Sequence, residues 1–279
     1  MSKELTKESV IQHKKQSIKS INQLLEHYIN SSNPKHLKKA DLLSYWFENF
    51  CDYIKNEETY SPKHQIAYKR GDVLKVNFGF NVGKEYGGLH YAIVIDKQNA
   101  RNANVVTVIP LTSGTKNDTH PKDVYLGTEL YNKLDAKHRS ILEKSQNELD
   151  KLLKLSETLE KMDNILSKTL EKEVSETNEL EYQNITNEFF DKYTEFIEVK
   201  KERNNAANEL QKDIEFIEKS QAELDKIKAG SIALIEQITT IDKARIFTPR
   251  KSRDVLYGIS FSDEKMDLIN NAIKKLYVF

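Results

Sequence analysis

The histidines and the single cysteine are the residues whose chemistry depends most on their spacing. No two of the seven histidines have the spacing of a metal-ligand pair, and one cysteine excludes both an internal disulfide and a cysteine-rich zinc site. These histidines are His13, His27, His36, His64, His90, His120 and His138. Neither a G-x-x-x-x-G-K-[ST] phosphate loop nor a G-x-G-x-x-G sequence occurs, so nucleotide hydrolysis has no support. We therefore expect no bound metal and no cofactor.

His90 lies between a glycine-rich loop and a predicted strand. The loop contains Gly79, Gly83, Gly87 and Gly88. The strand is the apolar run 91–95, which is typical of a buried strand. An imidazole has an ordinary pKa of about 6.5 and exchanges a proton near neutral pH.

Three further runs predict strands beside this one. Residues 73–78 alternate in hydropathy, and residues 105–113 and 231–238 are rich in β-branched side chains. Short strands joined by glycine-containing loops favour a small barrel. A C-terminal helix is predicted after Ser262, which suits an N-cap and is followed by acidic residues.

Glycine and proline divide the chain into segments. Residues 128–229 contain neither, and both residue types break helices. We predict an N-terminal helical segment over residues 1–66, a β core over 67–130 and 230–279, and a helical insert over 131–229. The core carries 16 basic and 12 acidic residues and the insert 17 and 23, so the formal net charge of zero combines a basic core with an acidic appendage.

The insert has the apolar stripe of a helix that packs on one partner. Leucines recur mostly three or four residues apart from Leu142 to Leu170, and a similar stripe runs from Ala207 to Leu224. We predict an antiparallel coiled-coil hairpin of two helices, each about 45 residues long, with its turn at 175–179. Two shorter helices are predicted before residue 62, the second of them rich in aromatic residues.

The chain lacks the patterns of a membrane or secreted protein. No window of 18 consecutive apolar residues occurs, and the N-terminus MSKELTKESV lacks the apolar region of a signal peptide. With a single cysteine, these features favour the cytoplasm and predict no membrane partner.

Four blocks in the predicted β core resemble one known family. They are RGDV at 70–73, VGKEYGG at 82–88, IPLTS at 109–113 and IEQITTIDKAR at 235–245. In content and order they are similar to the MazF/PemK (Kid-like) toxins. The resemblance covers about 67–127 and 230–279 and leaves the N-terminal segment and the insert unexplained.

The resemblance implies a fold and a function. It implies an SH3-like barrel, hence an α+β protein, that acts as a cytoplasmic homodimer and is held inactive by an antitoxin, whether protein or RNA. It also implies metal-independent endoribonuclease activity on single-stranded RNA. In that reaction the ribose 2′-OH attacks the adjacent phosphorus, leaving a 2′,3′-cyclic phosphate and a free 5′-OH.

The resemblance also assigns catalytic residues. The family's catalytic threonine maps onto Thr112, its loop glutamate onto Glu85, and its catalytic arginine onto a position that His90 occupies here. We predict that His90 acts as general acid or base and that Thr112 and Ser113 donate hydrogen bonds to the phosphate. Glu85 would act as a base or orient His90. The alternatives are that His90 is structural in an inactive protein and that Glu85 is a solvated loop carboxylate.

The predicted RNA contacts come from the same blocks and their neighbours. Lys84, Lys116 and Arg250 are candidates for phosphate contacts, with solubility as the alternative role of each. Tyr86 is a candidate for base stacking. Gln237 is predicted to be structural, with RNA contact as a further role.

Two other functions stay open at this point. One is a non-catalytic module in which the barrel holds RNA, DNA or a protein and the coiled coil contacts a partner. In the other, the added helices regulate the nuclease.

Overall fold

The computed structural model describes residues 5–64, 66–175, 178–227 and 230–278. The N-terminal segment contains the two predicted helices, α1 at Lys7–Ile29 and α2 at Pro34–Asn56. Thr6 caps α1 by accepting a hydrogen bond from the Ser9 N–H, and Asn33 caps α2 through Lys35 N–H. Pro34 suits the first turn of α2, where no intrahelical N–H bond is lost.

Seven strands form an antiparallel sheet. They are β1 Val73–Asn77, β2 Leu89–Val94, β3 Val105–Ser113, β4 Val124–Gly127, β5 Ser231–Ala233, β6 Thr239–Asp242 and β7 Ile246–Thr248. Their order is β4-β5-β3-β2-β1-β7, and β6 pairs with the first half of β3. The predicted strand at 231–238 is a strand only at β5, Ser231–Ala233. A 3₁₀ turn at Ile235–Gln237 follows, and β6 begins at Thr239, beyond the predicted range.

The strand order has two ends. Among the described residues the pairing runs from β4 to β7 without joining them, so the sheet is open. The α+β class with an antiparallel sheet is confirmed, and the SH3-like barrel stays a prediction.

The sheet separates two apolar layers. Successive residues of a strand face opposite sides, so Val73 packs in one layer and Leu74 in the other. The first layer also receives Leu130 and Leu134, near the start of the next helix, and Leu224. Residues near both ends of the insert are therefore part of the core.

The insert forms two long helices, α3 at Glu129–Ser175 and α4 at Glu179–Leu224. They run antiparallel, because His138 meets Ser220, Lys144 meets Asp213 and Lys151 meets Glu202. At 1.5 Å per residue, α3 is about 70 Å long. The predicted turn at 175–179 lies partly outside the described residues, and the coiled-coil supercoil stays a prediction. None of the described helices combines the length and apolar character needed to cross a membrane.

The last helix, α5 at Asp263–Tyr277, begins after Ser262 as predicted. The Ser262 hydroxyl does not bond to its own helix. Instead, its N–H and hydroxyl donate to the Glu129 carboxylate at 2.7 and 2.9 Å. This contact joins the start of α3 to the start of α5.

Candidate functional site

The sheet opens between β2 and β3. These strands pair where Ala92 lies opposite Pro110 and Val94 lies opposite Val108. The first half of β2 and the end of β3 are not paired with each other. Pro110 has no N–H to offer β2, and its carbonyl accepts a hydrogen bond from Leu234 N–H at 3.0 Å on the other side. Beyond Pro110, β3 pairs with β5 instead. We call the resulting gap the strand fork; it is bounded by residues 89–91 of β2 and 111–113 of β3.

His90 and Thr112 occupy the two sides of the strand fork. Continuing the register of Ala92 with Pro110 places His90 opposite Thr112. A cavity of about 260 Å³ fills the gap, and both residues line it together with Ser113. Three of the four predicted catalytic residues therefore meet in one place.

Tyr86 closes one side of the strand fork. Its ring centroid lies 4.6 Å from that of His90, and its hydroxyl donates to the Leu111 carbonyl at 2.8 Å. The hydroxyl therefore satisfies a backbone group at the point where β2 has left β3. Burial raises the pKa of Tyr86 to about 12, against a hydrogen bond with Thr112 that lowers it. The hydroxyl thus stays protonated at neutral pH.

The glycine-rich loop is fixed in place by several hydrogen bonds. Gly79 has φ +81°, which favours glycine, and the Gly88 N–H donates to its carbonyl at 2.7 Å. Gln237 accepts a hydrogen bond from Tyr86 N–H at 3.2 Å, and Glu85 accepts one from Val82 N–H at 3.2 Å. Gln237 therefore positions the loop, as its predicted structural role requires.

The surroundings of His90 favour its neutral form. Partial burial lowers the pKa of His90 below its ordinary value, against a hydrogen bond with the Gly87 backbone that raises it. At neutral pH the imidazole is therefore mostly uncharged and able to accept a proton.

Residues at the C-terminal end of α4 form a third wall of the strand fork. Lys75, only 7% exposed, forms hydrogen bonds of 2.7 and 2.8 Å with the Glu223 carboxylate, which also accepts one from the Tyr91 hydroxyl. Burial acts to raise the pKa of Glu223, but the bonds from Lys75 and Tyr91 outweigh it and hold that pKa below its ordinary value. Lys226, one turn further, lines the same cavity as His90.

Our sequence reasoning missed Lys75, Tyr91, Glu223 and Lys226. Lys75 gives a weak signal, because it interrupts the apolar run of β1 on the core-facing side, and a buried charge requires a partner. The partner is 148 residues away in sequence, and nothing in the local pattern identifies it.

A second and larger cavity adjoins His90. It measures about 670 Å³ and is bounded by α2, the glycine-rich loop, Phe247 of β7 and Arg250 just after β7. Glu85 and Arg250 line this cavity with His90, so Glu85 lies near the imidazole but outside the strand fork.

The remaining predicted RNA contacts are dispersed. Arg250 donates to the Ile246 and Ala244 carbonyls at 2.5 and 3.1 Å, which ties its guanidinium to the backbone. Lys84 is exposed on the glycine-rich loop. Lys116 is exposed in a 3₁₀ turn and lines neither cavity.

Within the described ranges, no three side chains of histidine, cysteine, aspartate or glutamate are grouped so as to hold a metal ion. The arrangement of His90, Tyr86, Thr112 and Ser113 instead supplies one proton acceptor and several hydroxyl groups around a small cavity. This set is suited to proton transfer beside an anionic group.

Comparison with known proteins bears on the same part of the chain. No curated protein matches the chain. Residues 69–177 match the family described as PemK-like, MazF-like toxin of type II toxin-antitoxin system. The match includes both sides of the strand fork and all of α3, and it ends before the block at 235–245. Residues 69–177 of this chain are therefore similar to the PemK-like, MazF-like toxin family.

Proposed function

We propose that this protein is the endoribonuclease toxin of a bacterial toxin–antitoxin system and that it cleaves single-stranded RNA. The supporting observation is the strand fork, which holds His90 and Thr112 on facing strands within the segment that matches the family. The reaction is a metal-independent transesterification. The 2′-oxygen attacks phosphorus, the bond to the 5′-oxygen breaks, and the products end in a 2′,3′-cyclic phosphate and a 5′-OH.

His90 is the proton acceptor in this proposal. Its lowered pKa keeps the imidazole neutral at neutral pH, so it can take the proton of the attacking 2′-OH. The same proton is then delivered to the departing 5′-oxygen, which leaves His90 neutral again. The net reaction therefore consumes no proton.

Thr112 and Ser113 stabilise the charge that develops on the phosphoryl oxygens. Both line the cavity that His90 lines, and hydroxyl donors aimed at an anionic transition state lower its free energy. Lys226 adds a positive charge at the same cavity. Glu85, held by the Val82 N–H outside the strand fork, serves to orient the loop rather than as the base.

RNA binding uses the residues around the strand fork to different degrees. Lys84 and Lys116 are exposed and contribute charge, which makes binding salt-dependent. Tyr86 packs against the imidazole with its ring tilted by 49°, Gln237 fixes the loop, and Arg250 acts through its backbone contacts.

The architecture proposed for this function has three parts. Residues 1–66 form an N-terminal helical segment, 67–130 and 230–279 an SH3-like barrel, and 131–229 an inserted coiled-coil hairpin. We also propose a cytoplasmic homodimer held inactive by an antitoxin. The apolar surface of helix α1 supports an interface with another protein chain. None of its residues is buried, and Val10, Ile18 and Ile21 are exposed.

The test is cleavage of single-stranded RNA by purified protein in the presence of EDTA, with analysis of the product termini. We expect cyclic phosphate and 5′-OH ends. We expect Thr112→Ala to lower the rate about 100-fold, and His90→Ala to lower it at least as much. His13→Ala, on the exposed surface of α1, is the matched control. Wild-type cleavage that His90→Ala leaves unchanged would show that the catalytic assignment is wrong.

The pH dependence provides a second test of His90. If its neutral form is the base, kcat/KM falls as pH decreases through a value below about 6.5, because the imidazole becomes protonated. A rate that instead rises as pH falls through this range would contradict the proton-acceptor role.

The non-catalytic alternative is favoured by one observation. Phe190 and Tyr193 are exposed near the far end of the hairpin, as expected of a surface that contacts a partner. In that case the purified protein binds RNA, DNA or a protein and yields no cleavage products.

A further inference from the structure

One wall of the larger cavity beside His90 is helix α2, which lies outside the segment that matches the family. Its other walls are the glycine-rich loop and Phe247. We call it the aromatic cleft. Its volume, about 670 Å³, lies within the range typical of small-molecule sites, about 300–1,000 Å³.

Helix α2 is held against the loop by specific contacts. A Cβ on Gly79 would lie 2.6 Å from the ring of Trp46, so the indole packs directly on the loop backbone. The Asn77 amide donates to the Tyr53 hydroxyl at 3.1 Å. Arg245 lies over the indole at 5.6 Å and donates to the Asn77 carbonyl at 2.9 Å. The shape of the aromatic cleft is therefore held by contacts within the protein itself.

Two aromatic side chains of the aromatic cleft are left largely in water. Tyr45 is 59% exposed and Phe247 is 61% exposed. Lys38 and Arg250 line the same cleft and give it positive charge. Aromatic faces beside cationic groups are the usual means by which proteins bind single-stranded nucleic acid without reading its sequence.

The position of His90 relates the aromatic cleft to the strand fork. His90 lines both cavities, so a phosphate in the strand fork lies next to the mouth of the aromatic cleft. We propose that the aromatic cleft binds an unpaired nucleobase of the RNA, next to the phosphate that is cleaved, with Tyr45 and Phe247 as stacking surfaces. The N-terminal helices are then part of the substrate site. This inference rests on the proposed function.

The binding test separates stacking from cleavage. The probe is a short single-stranded RNA whose riboses are 2′-O-methylated, because it has no 2′-OH to attack phosphorus. We expect Tyr45→Ala and Phe247→Ala each to raise its Kd at least fivefold, the lower end of what base stacking contributes. Tyr45→Phe retains the ring and should bind like wild type. Tyr193→Ala and Phe190→Ala are matched controls, since they remove similarly exposed rings, 45% and 60%, from the hairpin.

Trp46 provides an independent signal. It is the only tryptophan in the chain and it lines the aromatic cleft, so a base that enters the cleft should quench or shift its fluorescence. Because this signal needs no substitution, a variant that fails to fold cannot obscure the result.

The outcomes distinguish this inference from the proposed function. If wild type cleaves RNA but Trp46 emission does not respond and the Tyr45 and Phe247 variants bind normally, the inference is wrong and the nuclease stands. The aromatic cleft would then belong to another ligand, such as a protein partner. If wild type neither cleaves RNA nor binds the methylated probe, both proposals fail.

Discussion

The two ends of the helical hairpin differ in what they contact. At the sheet end, Leu134 is fully buried, and His138 meets Ser220 through a 2.7 Å hydrogen bond. Toward the far end, Leu170 and Phe190 expose about half or more of their surface. Both ends carry the same kind of apolar stripe. The apolar stripe therefore predicts that the two helices pack on each other. It does not predict which end of the pair also packs against the core of the sheet.

This difference indicates which end of the hairpin contributes more to the stability of the protein. The sheet end combines apolar burial with the buried Lys75–Glu223 pair, and it forms one wall of the strand fork. The far end makes mostly exposed ion pairs, such as Lys192–Glu188, which stabilise proteins little. We therefore expect substitutions at the sheet end to affect stability and the site together.

The largest expected effect is that of Leu134→Ala. Leu134 belongs to the apolar layer beside the strand fork, and truncating a fully buried leucine destabilises a protein by about 2–5 kcal/mol. Urea denaturation followed by circular dichroism measures the change. Leu153→Ala, at an exposed site on the same helix, should cost less than about 0.5 kcal/mol. Equal losses for both variants would contradict the comparison.

Glu223→Ala should have the next largest effect. It leaves Lys75 buried without its carboxylate, a change that costs about 3 kcal/mol when a buried pair is broken. Glu202→Ala removes a partner of Lys151 from an exposed pair and should cost about 0.5 kcal/mol or less. If Lys75→Met combined with Glu223→Leu restores stability, desolvation of the pair explains the loss. A double variant no more stable than Glu223→Ala would contradict that explanation.

Ionisation of Glu223 should make the free energy of unfolding depend on pH, with a smaller effect whose direction follows from its lowered pKa. Its pKa is below the ordinary value in the folded protein, so its contribution is fully present above about pH 4.3, where the unfolded side chain titrates. The contribution is lost as pH falls through the folded pKa. The difference in unfolding free energy between wild type and Glu223→Gln should therefore shrink on acidification from pH 6. A difference that grows instead would contradict the lowered pKa.

Local patterns were sufficient to predict the helices and the longer strands. The predicted N-cap at Ser262 placed the start of α5 correctly, and the absence of glycine and proline from 128–229 indicated the two long helices. The short strands β4 and β7 were missed, because three or four residues carry too little periodicity. The predicted strand at 231–238 extended past the end of β5, since the 3₁₀ turn that follows contains no glycine or proline, and β6 was not predicted.

The candidate site could be predicted only in part, for a related reason. Thr112 and Ser113 come from a block that resembles the family, His90 lies just after another, and the structure brings the three together. The strand fork itself depends on Pro110 lacking an N–H and on β5 taking the place of β2, which is a matter of tertiary pairing. Trp46 and Glu223 reach the site from outside those blocks, and only folding brings them there.

The smallest expected effect is that of shortening the hairpin from its far end. Replacing residues 156–197 with a short glycine–serine loop keeps the pairs Lys151–Glu202 and Lys144–Asp213, and with them the sheet end that borders the strand fork. Because nothing removed lines either cavity beside His90, RNA cleavage should stay within about twofold of the full chain, or less than about 0.5 kcal/mol in activation free energy. Circular dichroism checks that the shortened protein is folded. A folded variant that cleaves much more slowly would mean that the far end contributes to the reaction, and one that cleaves much faster would mean that it restrains the enzyme.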